Sequence, residues 1–340
     1  MLVGPRMEQY ILQMDESPFV TEFYDVNGIQ ITAERDADKF QTHTEFYQRS
    51  AAKQRAEAAE TIRDYGRDMP AWLEACRREA YAFIGTLGLS STATMHLIDH
   101  ESLSAGGKPS AFGESFPFHN TIYLYNRQIQ RLYESAHGSP AVTRIIIHEL
   151  VHSATNWTTR CVLREGAKPR GSYMAYRSGF EVHKRGRPLG AFFEEASAEY
   201  LAGLYDPSGE QARLEPQSHD LPSLEIPMRY QHFTKVSGPD GYAFELIGWA
   251  LARRGEITQD DFTTLLVATT LPETRVAALR LFPRLLNSLE PGLYRTLQAV
   301  PYSTRAFRAA YKRVYTLTTG SQRLRAGSGV VGLLTDQNRL

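Results

Sequence analysis

The amino-acid sequence predicts an α+β fold, and three observations support this prediction. Helix-forming residues (Ala, Glu, Gln, Lys and Arg) dominate the stretch from about Asp36 to Tyr65. Two short β-prone runs, Thr94 to Asp99 and Asn120 to Tyr125, follow in the middle of the chain. Helical sequence returns after about Asp240 and continues to Tyr315. An order of helices, a small sheet with two helices, and further helices is typical of an α+β fold.

The remaining elements are assigned from capping, turn and β-propensity signals. Before the first helix we expect an extended segment at Phe19 to Tyr24 and a turn at Asn27-Gly28. In chain order, the later elements are a helix from Ala71 to Thr86, a Gly/Ser/Pro-rich loop from Ser102 to Pro117, a helix from Pro140 to Trp157 with Ser139 as its N-cap, a hairpin of Cys161 to Glu165 with Tyr173 to His183, and a helix from Ala191 to Tyr205.

The length of 340 residues suggests about two domain-equivalents, or one large domain with helical additions. We predict a mostly helical N-terminal region at 1–90 and a central core at 91–210. A C-terminal helical subdomain follows at 211–319. The tail, 320–340, has weak periodicity, and we expect it to be disordered.

Charge and composition exclude several classes of protein. The 38 Lys and Arg residues balance 38 Asp and Glu residues, whereas binding to nucleic acid or to a membrane surface requires a basic excess. The 2 cysteines, Cys76 and Cys161, fit a reducing compartment, and the alternative is a single disulfide between them. We find no apolar run of transmembrane length and no signal-peptide pattern in the first ten residues. A cytoplasmic protein without membrane insertion is therefore expected.

The first motif with chemical meaning is His148-Glu149-Leu150-Val151-His152. Residues four apart lie on the same helix face about 6 Å apart along the axis, so two imidazoles can reach one Zn²⁺. Zinc lowers the pKa of its bound water to about 7, and Glu149 is placed to accept the proton. The alternative is an amphipathic helix whose histidines form hydrogen bonds in the core.

The second motif is a pair of glutamates, Glu195 and Glu199, on an otherwise apolar helix. A hydrolytic zinc usually has three protein ligands. The extended motif with a third histidine is absent, since Thr155 and Thr158 occupy the glycine and histidine positions. One glutamate could supply the third ligand while the other accepts the free ring N–H of a ligand histidine. A solvated glutamate pair on an exposed helix is the alternative.

Together, these two motifs resemble the gluzincin branch of zincin-type zinc metallopeptidases, in which the second helix often reads Asn-Glu-Gly-x-Ala-Glu-Tyr. The resemblance covers roughly residues 91 to 205. It implies a small zincin-like core: a short mixed sheet, the His-Glu-x-x-His helix and the glutamate helix. It also implies one Zn²⁺ per chain held by His148, His152 and Glu195, with Glu149 as general base and Glu199 supporting a ligand histidine. Ala196 replaces the usual glycine, and Glu194 leaves the register of the ligand glutamate open.

The same resemblance suggests further positions. The Asn120 to Tyr125 run corresponds to the edge strand beside the metal that receives an extended peptide. Aminopeptidase-type gluzincins carry a tyrosine beyond the ligand glutamate, which suggests Tyr242 as oxyanion stabiliser, with Tyr230 and His232 as alternatives. Their Gly-x-Met-x-Asn motif does not occur here. The expected partner is a peptide or protein substrate, with no nucleic acid. The sequence leaves the oligomeric state open.

Two other functions compete with a zinc metallopeptidase. The first is a catalytically inactive zincin-like binding or regulatory module, against which the intact Glu149 argues. The second is a helical protein without metal, which the zinc content of the pure protein would distinguish.

Overall fold

The structure is a computed structural model. The residues that it describes are 19–25, 29–100, 112–116, 120–155, 157–164, 170–184, 187–207, 214–215, 222–223, 225–231 and 240–335. The predicted turn at Asn27-Gly28 and most of the loop from Ser102 to Pro117 lie outside these ranges.

The chain divides into two compact units. The first contains residues up to Leu189 together with Thr269–Arg275, and the second contains Gly190–Ala268 and the residues from Val276 onward. This division falls inside the range 91–210 that the sequence analysis groups as one core. The domain boundaries drawn from the sequence stay predictions.

The described part of the first unit contains two sheets, which confirms the strands and helices expected of an α+β chain. The smaller sheet has four strands in the order β3-β4-β6-β5. Strands β4 and β6 are parallel, while β3 and β5 run antiparallel to their neighbours. These strands are β3 (Gly66–Arg67), β4 (Thr94–Ile98), β5 (Gly113–Phe116) and β6 (Thr121–Tyr125).

The larger sheet has six strands in the order β10-β9-β8-β7-β1-β2. The pairing of β1 with β7 is parallel, with Phe19 opposite Trp157, and the other pairings are antiparallel. Its strands are β1 (Phe19–Tyr24), β2 (Gln30–Ile31), β7 (Trp157–Arg164), β8 (Arg170–Ser178), β9 (Glu181–Lys184) and β10 (Arg187–Leu189).

The helices of the first unit pack around the smaller sheet and beside β7. Helix α1 begins after Asp36, whose side chain accepts a hydrogen bond from the N–H of Lys39. Helix α4 packs against α2, α3, β5 and β6. These helices are α1 (Ala37–Tyr65), α2 (Ala71–Thr86), α3 (Asn126–Tyr133) and α4 (Gly138–Ala154).

The second unit is helical in its described part. Helix α5 packs against α7, and an aromatic cluster fills the space around them, with Phe193 contacting Phe244 and Phe282. The helices are α5 (Ala191–Gly203), α6 (Met228–Gln231), α7 (Asp240–Arg253), α8 (Gln259–Thr270), α9 (Arg275–Leu289), α10 (Leu293–Gln298) and α11 (Thr304–Thr335).

Several predicted bounds differ from the structure. The predicted strand from Tyr173 to His183 is two strands, because Gly179 has a φ of 47° and turns the chain between β8 and β9. Helix α4 begins at Gly138 after His137, so Ser139 lies inside the helix and is not its N-cap. At the other end, Thr155 adopts an extended conformation, and Trp157 belongs to β7.

Two further expectations change. Strand β6, which we expected at a sheet edge, pairs with β4 on one side and β5 on the other, so β5 ends the sheet instead. Helix α11 continues to Thr335, where we expected a disordered tail from 320. Extending an established helix fixes one residue for each hydrogen bond gained, which is much easier than nucleating a new one. Residues 336–340 lie outside the described ranges.

A search of the described helices for a membrane-spanning segment finds none with the required length and apolar character.

Candidate metal centre

Helix α4 positions the His-Glu-x-x-His residues in a largely buried setting. Its residues from Ala141 to Val151 are all buried, and Glu149 is only 7% exposed. The rings of His148 and His152 meet edge to face, with centroids 4.6 Å apart. The helical spacing of four residues therefore brings the two imidazoles together, as the sequence predicts.

The two imidazoles are arranged as a pair of metal ligands would be. Their Nε2 atoms lie 3.1 Å apart. Two nitrogens bound tetrahedrally to zinc, at bond lengths of 2.0–2.1 Å, would be separated by about 3.3 Å. The donor separation thus fits a shared ion.

Glu195 completes a group of three metal-ligand side chains. Three ligand atoms lie within 4.8 Å of one another, one each from His148, His152 and Glu195. This group could therefore hold a metal ion. Within the described ranges it is the one group of three or more His, Cys, Asp and Glu residues that meets this distance. Glu194, which the sequence leaves open as an alternative ligand to Glu195, does not belong to this group. Imidazole and carboxylate donors suit zinc as well as other divalent metals.

Strand β5 lies directly against Glu149. A Cβ atom built on Gly113 would be 3.1 Å from Cγ of Glu149, which is closer than most side-chain contacts. On the other side of the strand, Glu114 accepts a hydrogen bond from the hydroxyl of Tyr125 at 2.6 Å. The end strand of the smaller sheet therefore passes beside the predicted general base.

Glu199 lies on α5 and is held by the start of α7. It is fully buried, and its Oε2 accepts a hydrogen bond from the backbone N–H of Gly241 at 2.9 Å. Asp240, the preceding residue, is also fully buried, and neither of its carboxyl oxygens has a hydrogen-bond partner among the described residues. Burial raises the pKa of Asp240 well above its usual range, and the charges of Glu199 and Glu195 raise it further.

The remaining predicted residues have other surroundings. Tyr242 is buried, and its hydroxyl donates a hydrogen bond to the carbonyl oxygen of Ser223 at 2.9 Å. Burial is the main cause that raises the pKa of Tyr242, and the negative charge of Glu245 raises it further. An oxyanion role for Tyr242 would require this hydrogen bond to break, and it stays a prediction. Tyr230 is fully buried, and His232 lies outside the described residues.

Sequence reasoning missed three residues of this region: Gly113, Asp240 and Gly241. Gly113 lies in a stretch that its glycine and serine content marks as a loop. Asp240 enters the sequence analysis only as the point where helical sequence returns, and Gly241 precedes Tyr242 without a signal of its own. An acidic residue at the start of an apolar helix is the signal that could have drawn attention to this pair.

Comparisons of the chain with models of known protein families, with curated proteins and with solved structures find no match. The resemblance to gluzincins therefore rests on the two sequence motifs.

Proposed function

We propose that this protein is a zinc-dependent peptidase with a zincin-like core. The observation that supports it best is the convergence of ligand atoms from His148, His152 and Glu195, with Glu149 on the same helix as the two histidines. Three protein ligands of this type leave a fourth position open, as in hydrolytic zinc sites. We propose Glu195 as the third ligand and Glu199 as the support of a ligand histidine.

A bound zinc ion would polarise the scissile carbonyl and lower the pKa of a coordinated water to about 7. Glu149 would take the proton of the attacking water and later deliver it to the leaving amine. Its position in a largely buried helix keeps bulk water away from the carboxylate, which strengthens its electrostatic interactions. Tyr242 stays our candidate for the oxyanion.

The arrangement of the smaller sheet favours an extended peptide as substrate. Among the described strands, β5 is the last of the smaller sheet, and it passes beside Glu149. An extended peptide can add to a sheet edge through main-chain hydrogen bonds, which would hold a scissile bond close to the predicted base.

Zinc content per chain, measured by elemental analysis without added metal, tests the metal centre. We expect about one zinc per wild-type chain and little in His148→Ala. The absence of zinc from the wild type after reconstitution at neutral pH would refute the proposal.

Glu149→Gln tests the chemistry separately. The amide keeps the size of the side chain but cannot accept the proton, so the variant should bind zinc like the wild type and lose hydrolysis of a peptide library. Zinc binding with no hydrolysis by either protein would instead favour the inactive binding module.

A further inference from the structure

The close approach of α7 to Glu199 depends on a residue without a side chain. A Cβ atom on Gly241 would lie 2.8 Å from Cβ of Glu199 and 2.9 Å from its backbone carbonyl carbon. Neither atom is the far end of a flexible side chain, so an alanine there would have to push the two helices apart. The same Cβ would also lie 2.8 Å from Cε1 of Tyr230, so the tyrosine ring blocks a side chain at this position as well.

The N–H of Gly241 is well suited to hold a carboxylate. It lies in the first turn of α7, where backbone N–H groups have no partner within the helix. The helix dipole also favours negative charge at this end. The hydrogen bond to Oε2 of Glu199 therefore fixes the orientation of the carboxylate.

Asp240 provides a second, independent observation at the same place. Its carboxyl group is fully buried and lacks a hydrogen-bond partner among the described residues. Among the charges that act on it, that of Glu199 has the larger effect and that of Glu195 the smaller. Burying a carboxyl group that lacks a hydrogen-bond partner is costly.

We propose that Gly241 is a positioning residue of the metal centre: its backbone N–H fixes Glu199, and its missing side chain permits the necessary approach of α7. This inference rests on the proposed function, because it assigns Glu199 to the support of a ligand histidine. Residues that orient metal ligands in this way typically contribute about 10–100-fold to metal affinity.

The test compares Gly241→Ala with Gly248→Ala. Gly248 lies on the same helix, and a Cβ there would be 2.8 Å from the ring of Phe262, so both variants disturb helix packing. We expect both to lower the melting temperature of the metal-free protein. Competition with a chromophoric chelator should show zinc binding about 10–100-fold weaker in Gly241→Ala and unchanged in Gly248→Ala.

A second measurement uses the wild type and needs no variant to fold. Hydrogen exchange, measured by mass spectrometry, should become faster at the start of α7 when zinc is removed, and should change little in the second half of the helix. Equal exchange with and without zinc would overturn the inference, as would equal zinc affinities for Gly241→Ala and Gly248→Ala. If the wild type binds no zinc, the proposed function itself fails.

Discussion

Gly113 and Glu149 are so close that a side chain at position 113 would press on the glutamate. A Cβ at Gly113 would lie 3.1 Å from Cγ of Glu149 and 3.1 Å from the carbonyl oxygen of Tyr123. The same backbone therefore limits where the predicted general base can move.

Gly113→Ala should displace Glu149 by a few tenths of an ångström without touching the metal ligands. We expect unchanged zinc content and a reduction in kcat of up to about 100-fold, because small misplacements of catalytic groups are costly. The matched control is Gly85→Ala on α2, where a Cβ meets nothing within 4 Å. That change should leave activity intact and raise stability by about 0.5–1 kcal/mol. Wild-type kcat in Gly113→Ala would show that the strand does not constrain Glu149.

Neighbouring glutamates on α5 should differ in their effect on zinc. Glu195→Gln removes a proposed ligand and should reduce zinc affinity by at least about 10-fold, while Glu194→Gln should leave it unchanged. Chelator competition measures both affinities under identical conditions. The reverse ranking would assign the third ligand to Glu194 and correct the register.

Asp240 should make the stability of the metal-free protein depend on pH. Its pKa is raised by burial and then by Glu199 and Glu195, so its ionisation is less favourable in the folded than in the unfolded state. The resulting loss of stability is absent below the unfolded pKa of about 3.9. It grows as the pH rises toward the folded pKa. Asp240→Asn should therefore melt at a higher temperature than the wild type at pH 7, and the gain should vanish near pH 4.

Asp261 supplies a control, because its substitution should change the stability in the opposite direction. Hydrogen bonds from the side chain and backbone of Thr258 lower its pKa, so ionisation of Asp261 favours the folded state above its usual pKa. Asp261→Asn should therefore melt lower than the wild type at pH 7 and approach it in acid. A gain in Asp240→Asn that is the same at both pH values would show that it does not come from charge.

The buried ion pair of Arg229 and Glu245 should be important for the stability of the second unit. Both side chains are at most 5% exposed, and Glu245 also accepts a hydrogen bond from the N–H of Leu214. Arg229→Met leaves a buried carboxylate without its cation and should cost about 3–5 kcal/mol. Arg77→Met breaks the more exposed pair with Glu74 and should cost at most about 1 kcal/mol. Urea unfolding measures both, and similar costs would contradict the prediction.

Elements with strong local signals could be predicted from the sequence. The helix from Ala71 to Thr86 has the predicted bounds, and α1 ends at Tyr65 as predicted. The pairing of His148 with His152 also followed from helical spacing alone, because both residues lie on one element.

Features that depend on distant parts of the chain could not be predicted in this way. Strand β5 lies in a sequence rich in turn-forming residues, and pairing with β6 makes it a strand. Only the packing of α7 on α5 shows that Gly241 contacts Glu199, since no local pattern links these two positions. The split of the Tyr173 to His183 segment depends on the left-handed conformation of a single glycine, Gly179.

The parallel pairing of β1 with β7 has a consequence for biosynthesis. Residues Phe19 to Tyr24 leave the ribosome long before Trp157 to Val162, with which they pair. At about 5–20 residues per second, the N-terminal strand waits on the order of ten seconds for its partner. During that interval its backbone groups are open to pairing with other chains.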